Sequence, residues 1–171
     1  IKKFDAHFDH RLIHTGQNSD NNLKDVFFTD LGLRLPDVIF KSEHSTLGSF
    51  LGSLFVNMEK EFIDNRPDAV VILGDTNSAL SAILAKRFGI PIYHLEAGNR
   101  SFDANVPEEI NRRIVDHTSD FNLVYTNLAR NNLIAEGIPA RRLALTGTPL
   151  LEVFSVNKSK IDGSKILETL K

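Results

Sequence analysis

The spacing of apolar residues switches repeatedly between period two and period 3.6 along this chain. Residues 10–16 alternate and stop at Gly16, which predicts a strand. The polar run 18–22 can cap a helix reaching about Leu31, with Val26, Phe27 and Leu31 on one face and Gly32 ending it. Residues 37–41, opened by Pro36, predict a second short strand. Over 46–63, Leu47, Phe50, Leu51, Leu54, Phe55, Met58 and Phe62 recur at i, i+3, i+4 spacing, the pattern of an amphipathic helix. A strand over 69–73 follows, apolar without a break, as expected of a strand covered on both faces. The pattern then predicts a helix over 77–88, a strand over 91–95, a helix over 107–118 and a strand over 121–126. A helix over 127–136 is closed by Gly137-Ile138-Pro139, a strand spans 143–146, and another helix begins over 149–154. Strands and helices in alternation predict an α/β fold: a parallel sheet with helices on both faces. Residues 155–171 are polar and weakly helical, and read as a linker leaving the domain.

Composition narrows the picture. A chain of 171 residues with 42% apolar and 25% charged residues is an ordinary globular domain that can bury a core. The net charge of −2 and the lack of a basic stripe indicate no general attraction to nucleic acid or membrane. Without cysteine there is no disulfide, no thiolate nucleophile and no Cys-type zinc site. No apolar run approaches a membrane span of about 20 residues, and the chain does not open on a signal peptide, so a cytoplasmic location is expected. Residues 1–4 lack an initiator Met and read as the last turn of a helix already under way, so a fragment is expected.

The candidate chemistry lies in residues 68–117. Asp75 follows strand 69–73, Glu96 follows strand 91–95, and Glu108 stands in the first turn of helix 107–118. In open α/β sheets ligands bind outside the carboxyl ends of the strands, so these acids could face one crevice. Each also has a plainer reading. Asp75 precedes Thr76-Asn77-Ser78 and is as readily a turn or capping residue. Glu96, in a turn of small residues after a buried strand, is harder to explain without a ligand, since Glu is rarely buried unpaired. Glu108 with Arg112, and Glu109 with Arg113, are spaced for surface ion pairs worth a few tenths of a kcal/mol. His94 and His117 invite a metal reading with Asp75, Glu96 and Asp103, and Gly74-Asp75 is shared with metallophosphoesterases. The Asp-x-His and Gly-Asn-His of those enzymes are absent, so no metal is expected. His10 and His14 lie on one strand face and read as structural. There is no Gly-x-Gly-x-x-Gly or Walker loop, and the Gly16-Gln17-Asn18 turn is weak support for a phosphate cradle.

Four motifs, His14-Thr15-Gly16-Gln17, Gly74-Asp75-Thr76, His94-Leu95-Glu96-Ala97-Gly98-Asn99-Arg100 and Pro107-Glu108-Glu109-Ile110-Asn111-Arg112, stand in an order and at intervals that resemble the non-hydrolysing UDP-N-acetylglucosamine 2-epimerases. Thr146-Gly147-Thr148-Pro149 resembles that family's next landmark, so the likeness runs from about Arg11 to Phe154. The resemblance implies the first half of a two-domain, glycosyltransferase-B-like enzyme. Residues 1–154 would be a Rossmann-like N-terminal domain lacking its first strand and the family's Gly-Thr-Arg-Pro-Glu loop, and 155–171 a linker toward an absent C-terminal domain that holds much of the UDP. Carried over residue by residue, Asp75, Glu96 and Glu108 are catalytic acids, and Arg112, Gln17 and Arg100 bind substrate. Arg112 would orient Glu108 or meet the phosphates. The implied partner is a UDP-sugar, the implied state a homodimer, and neither a redox cofactor nor a metal is called for.

The implied reaction turns UDP-GlcNAc into UDP-ManNAc. A C2 proton beside an acetamido group is too weakly acidic for direct removal, so the family first eliminates UDP across C1–C2 to a 2-acetamidoglycal and then adds it back. Proton removal on one face and delivery on the other suit carboxyl groups in different surroundings. Asn99 and Phe102-Asp103 resemble a branch acting on UDP-linked 2-acetamido-2,6-dideoxy-L-hexoses, on the route to UDP-N-acetyl-L-fucosamine, which leaves the sugar open. A non-catalytic sugar-nucleotide sensor and a glycosyltransferase on the same fold are the alternatives.

Overall fold

The computed structural model describes residues 1–17 and 25–169. In chain order these form α1 (Lys2–His7), β1 (Ile13–His14), α2 (Asp25–Asp30), β2 (Val38–Ile39), α3 (Leu47–Asp64) and β3 (Val70–Leu73). A 3-10 segment (Asn77–Ser81) runs into α4 (Ala82–Arg87), followed by β4 (Ile92–Leu95), α5 (Pro107–Thr118), β5 (Phe121–Val124), α6 (Asn127–Ala135) and β6 (Leu143–Leu145). Helices α7 (Leu150–Asp162) and α8 (Ile166–Thr169) come last. The expected cap over 18–22 lies outside the described residues.

Local chemistry sets the element ends. Thr46 caps α3 by accepting from the Ser49 N–H at 3.0 Å, and the Ser49 hydroxyl accepts in return from the Thr46 N–H at 3.0 Å. Phe50, Leu54, Met58 and Phe62, each four residues on from the last, form the buried stripe of α3. Each such side chain stabilises the fold by about 1.5–3 kcal/mol through burial. Pro107 opens α5, where a missing N–H costs nothing. The segment after β3 starts as 3-10, and Ser78 in its first turn is held from outside the helix: its N–H and hydroxyl both donate to Gln17 Oε1, at 3.0 and 2.9 Å.

All strand pairs are parallel. β1 and β2 make a small sheet, and β3-β4-β5-β6 lie in that order in a second. Ile72, His94 and Asn122 are in register and project to one face. On that face Ile72 and Ile92 pack with the α3 stripe, Ala82 and Ala85 of α4, and Val115 of α5. Val124 packs with Ala129 and Leu133 of α6. Ile13, Val38 and Phe40 tie the small sheet to the same core.

The α/β class and the parallel strands are as read from the pattern, and among the described residues the helices that connect the strands of the four-stranded sheet pack on one face of it. Strands laid down in sequential order through right-handed crossovers put every connecting helix on the same side. For the same reason strand 69–73 is not covered on both faces: Ile72 is 7% exposed, whereas Val71 and Leu73 are 43% and 63% exposed. On that second face the rings of Tyr93 and Phe121 stack at 5.0 Å. The strand expected over 10–16 shrinks to Ile13–His14. His10 lies before it, with Nδ1 2.8 Å from Asp5 Oδ1. Helix α7 continues through Ser155 to Asp162 and buries no residue. No described helix is long and apolar enough to cross a membrane.

Candidate active site at the carboxyl rim of the sheet

Because the strands are parallel, Gly74-Asp75, Glu96 and Tyr125 leave the sheet at one rim, at the ends of β3, β4 and β5. Helix α5 lies beneath that rim with an unusual buried face. Glu109, Asn111, Arg112, Val115 and Asp116 are buried, while Ile110 and Ile114 are 48% and 37% exposed. The polar side is inward because it grips the strand ends.

Arg112 is the centre of the grip. Its Nη2 and Nε donate to Asp75 Oδ2 at 2.5 and 3.1 Å, its Nη1 donates to the Glu96 carbonyl, and Nη2 stands 3.6 Å from Glu96 Oε1. Asn111 adds hydrogen bonds to the Asp75 carbonyl and to Asn77 Oδ1, both at 3.0 Å. Glu96 itself is left-handed, with φ of +66°, a conformation that costs a non-glycine residue about 1–2 kcal/mol. Its Oε1 accepts from Asn99 Nδ2 at 3.3 Å. Tyr125 follows β5 at the same rim, its hydroxyl pushed above the ordinary value by burial and by the Glu96 carboxylate.

A cleft of about 250 Å³ opens here, lined by Asp75, Asn99, Ser101, Val106, Glu108 and Arg112 among others. Glu108 is exposed and has no hydrogen bond or ion pair among the described residues. The three acids read from the sequence therefore share one rim. Asp75 and Glu108 line the cleft itself, and Glu96 joins it through Arg112 and Asn99.

The expected partners differ. Arg112 does not pair with Glu108: as a helix residue facing inward it meets Asp75 and Glu96 instead. The companion pair does form, Arg113 Nε donating to Glu109 Oε1 at 2.8 Å. Burial alone would raise the Glu109 carboxyl, but the Ser101 N–H and Arg113 hold it below the ordinary range. Gln17 reaches the rim, yet its amide oxygen is spent capping Ser78. Arg100 also lines the cleft, and its side chain is paired within the chain. Its side chain is 0% exposed, with Nη1 2.8 Å from Asp116 Oδ2 and with Nε and Nη2 each 2.7 Å from a Glu136 oxygen. That guanidinium is engaged by two acids of this chain beside the cleft that Arg100 helps to line. It holds Glu136 down at about 2, against burial, while burial and the two carboxylates pull Arg100 in opposite directions and the carboxylates prevail.

The two histidines of the metal reading serve elsewhere. His117 Nε2 stands 3.2 Å from Glu136 Oε2. His94, fully buried, has Nδ1 2.8 Å from Asp116 Oδ1 and Nε2 2.8 Å from the Gly74 carbonyl. Asp103 Oδ1 accepts from the N–H and side-chain amide of Asn105, at 2.9 and 2.8 Å, within its own loop. Sequence reasoning missed Asn111, Asp116, Tyr125 and Glu136. The available signal was the polar series 109, 112, 116 at helical spacing, although Ile110 and Ile114 offered a competing apolar face.

The family described as UDP-N-acetylglucosamine 2-epimerase matches residues 2–171. The chain belongs to that family. A UDP-N-acetylglucosamine 2-epimerase of known structure from Rickettsia bellii is 47% identical, with a TM-score of 0.92 over 99% of this chain and 46% of that one. The Methanocaldococcus jannaschii UDP-GlcNAc 2-epimerase, solved in complex with UDP-GlcNAc and UDP, is 33% identical, with a TM-score of 0.92 over 99% of this chain and 48% of that one. A Pseudomonas aeruginosa relative, UDP-2,3-diacetamido-2,3-dideoxy-D-glucuronate 2-epimerase, is 39% identical over 127 residues, 74% of this chain and 36% of its own length. The chain spans about two fifths of the length of the curated relatives it matches. The motif resemblance and the α/β fold are thus borne out at the level of the family.

Proposed function

We propose that the protein, at its full length, is a UDP-N-acetylglucosamine 2-epimerase that converts UDP-GlcNAc to UDP-ManNAc. The observation that carries this reading is the convergence of Asp75, Glu96 and Glu108 on one rim, two of them lining a single cleft. In the proposed reaction a carboxylate takes the C2 proton, the freed pair forms C1=C2, and UDP leaves with the electrons of its C1–O bond. A carboxyl on the other side then returns a proton to C2 as UDP re-adds at C1. Asp75, clamped by Arg112, and Glu108, exposed and unpaired, offer the two different surroundings that opposite proton transfers need.

The leaving UDP requires positive charge beside its phosphates. Both arginines of the cleft are committed to acids of this chain, Arg112 to Asp75 and Arg100 to Asp116 and Glu136. The reading therefore includes a second α/β domain that supplies the phosphate contacts, in keeping with the share of its relatives that this chain spans. It further includes a homodimer, which light scattering tests, and a cytoplasmic location, which fractionation tests. With UDP-GlcNAc in deuterated water and no acceptor, the full-length protein should place deuterium at C2 and form UDP-ManNAc. A glycosyltransferase would leave the sugar untouched. A sensor would keep its ligand response in Glu96→Gln, whereas the epimerase loses turnover.

The diacetamido-glucuronate relative favours a second reading, the same proton chemistry on another UDP-linked 2-acetamido sugar. UDP-N-acetyl-L-fucosamine formation is the version that Asn99 and Phe102-Asp103 suggest. Exchange at C2 of such a sugar, with none in UDP-GlcNAc, would decide for it.

A further inference from the structure

His94 has no part in the proton transfers just described, yet it is fully buried and both of its ring nitrogens are engaged. A carbonyl oxygen only accepts, so Nε2 donates to the Gly74 carbonyl at 2.8 Å. The Nδ1 of His94 stands 2.8 Å from Asp116 Oδ1. Asp116 is anchored in turn by Arg100 and by the Gly98 N–H at 3.2 Å. The Gly74 N–H makes the last ladder bond to Leu95 O at 3.1 Å, and its φ of +76° then turns the chain out of the strand. Its carbonyl thus leaves the ladder and points into the interior, where it depends on His94 for a partner.

The next residue is Asp75. Its carboxylate is held by Arg112 and its own carbonyl by Asn111, both on α5. His94 completes the set from the other side, since it links the peptide before Asp75 to Asp116, one helical turn beyond Arg112. We propose that His94 is a positioning residue of the epimerase: through the Gly74 carbonyl it sets where the Asp75 carboxylate stands relative to Arg112 and Glu96. The inference rests on the proposed reaction for its kinetic consequence, but its structural part stands independently. Displacing a reacting group by about 1 Å can cost on the order of 100-fold in rate.

Two variants of the full-length protein separate positioning from simple packing. His94→Gln puts an amide donor near the place of Nε2 and keeps the Gly74 bond. His94→Asn puts one near Nδ1, keeps the Asp116 bond and leaves the Gly74 carbonyl without its donor. Each loses one hydrogen bond, so urea unfolding should rank them close together. In C2 deuterium exchange with UDP-GlcNAc, His94→Asn should lose about 10- to 100-fold in kcat with KM within about twofold. His94→Gln should stay within a few-fold of the parent. Equal losses in the two, or a loss carried by KM, overturn the proposal. Crystal structures of the variants report without substrate: the Asp75 carboxylate should shift in His94→Asn and stay in place in His94→Gln, and an unmoved Asp75 in both overturns it. If a variant fails to fold, imidazole 15N–1H spectra of the unmutated protein decide, because a hydrogen-free Nε2 on His94 removes the bridge. Absence of exchange in the unmutated protein would instead sink the proposed reaction, and the crystal and spectral results would still judge the bridge.

Discussion

Replacing Arg112 by Met removes the clamp while keeping the length and packing of the side chain. The Arg112 side chain is 8% exposed and that of Asp75 is 21% exposed. Three hydrogen bonds vanish, two to Asp75 Oδ2 and one to the Glu96 carbonyl. An uncompensated buried charge ordinarily costs about 3–5 kcal/mol. Water reaches Asp75 in part, so about 2–3 kcal/mol is expected, or roughly 5–10 °C in Tm for a chain of this size. Arg112→Lys keeps the charge and one bond to Asp75 but cannot also reach the Glu96 carbonyl, so it should fall about midway. Urea unfolding followed by far-UV circular dichroism measures both. Pairing Arg112→Met with Asp75→Asn should recover at least about 1 kcal/mol relative to the sum of the single changes, because the charge left unpaired is gone. Additive losses, or an Arg112→Met protein within about 0.5 kcal/mol of the parent, would refute the claim that this ion pair organises the rim.

The remaining predictions concern strain and pH. Glu96 has φ of +66°, so Glu96→Gly should be more stable than Glu96→Ala by about 1 kcal/mol in the same unfolding assay, and equal stabilities would argue against a left-handed residue there. Glu136 is held at about 2, below its ordinary 4.5, chiefly by Arg100. A depressed carboxyl stabilises the fold fully above its unfolded pKa, and that contribution is lost as pH falls from about 4.5 toward 2. The parent should therefore lose stability across that window more steeply than Glu136→Gln, and parallel pH profiles would contradict the buried pair.

Element identity was legible wherever the period was strong: α3, α5, β3 and β4 fall where the apolar spacing puts them. Which face of the sheet is covered was not legible, because an unbroken apolar strand reads alike whether both faces are buried or one stays open, as at Val71 and Leu73. The acids themselves were legible from their positions at strand and helix ends. Their partners were not. Local spacing pairs Arg112 with Glu108, but the inward face of α5 brings Arg112 to Asp75, 37 positions away. The same holds for Arg100, whose place in a motif beside Glu96 suggests a ligand contact. Its partners Asp116 and Glu136 come from α5 and from the end of α6, and only the folded chain brings them together.

The central claim is that acids gathered at one sheet rim carry proton transfer at C2 of a UDP-linked 2-acetamido sugar. Its most direct measurement is the rate of solvent deuterium entry at C2 of UDP-GlcNAc, read by NMR, in the full-length protein and in its Asp75→Asn and Glu108→Gln forms. The account predicts exchange in the parent and losses of about 100-fold or more in each variant with the fold retained. Exchange at the parent rate in both variants would contradict it.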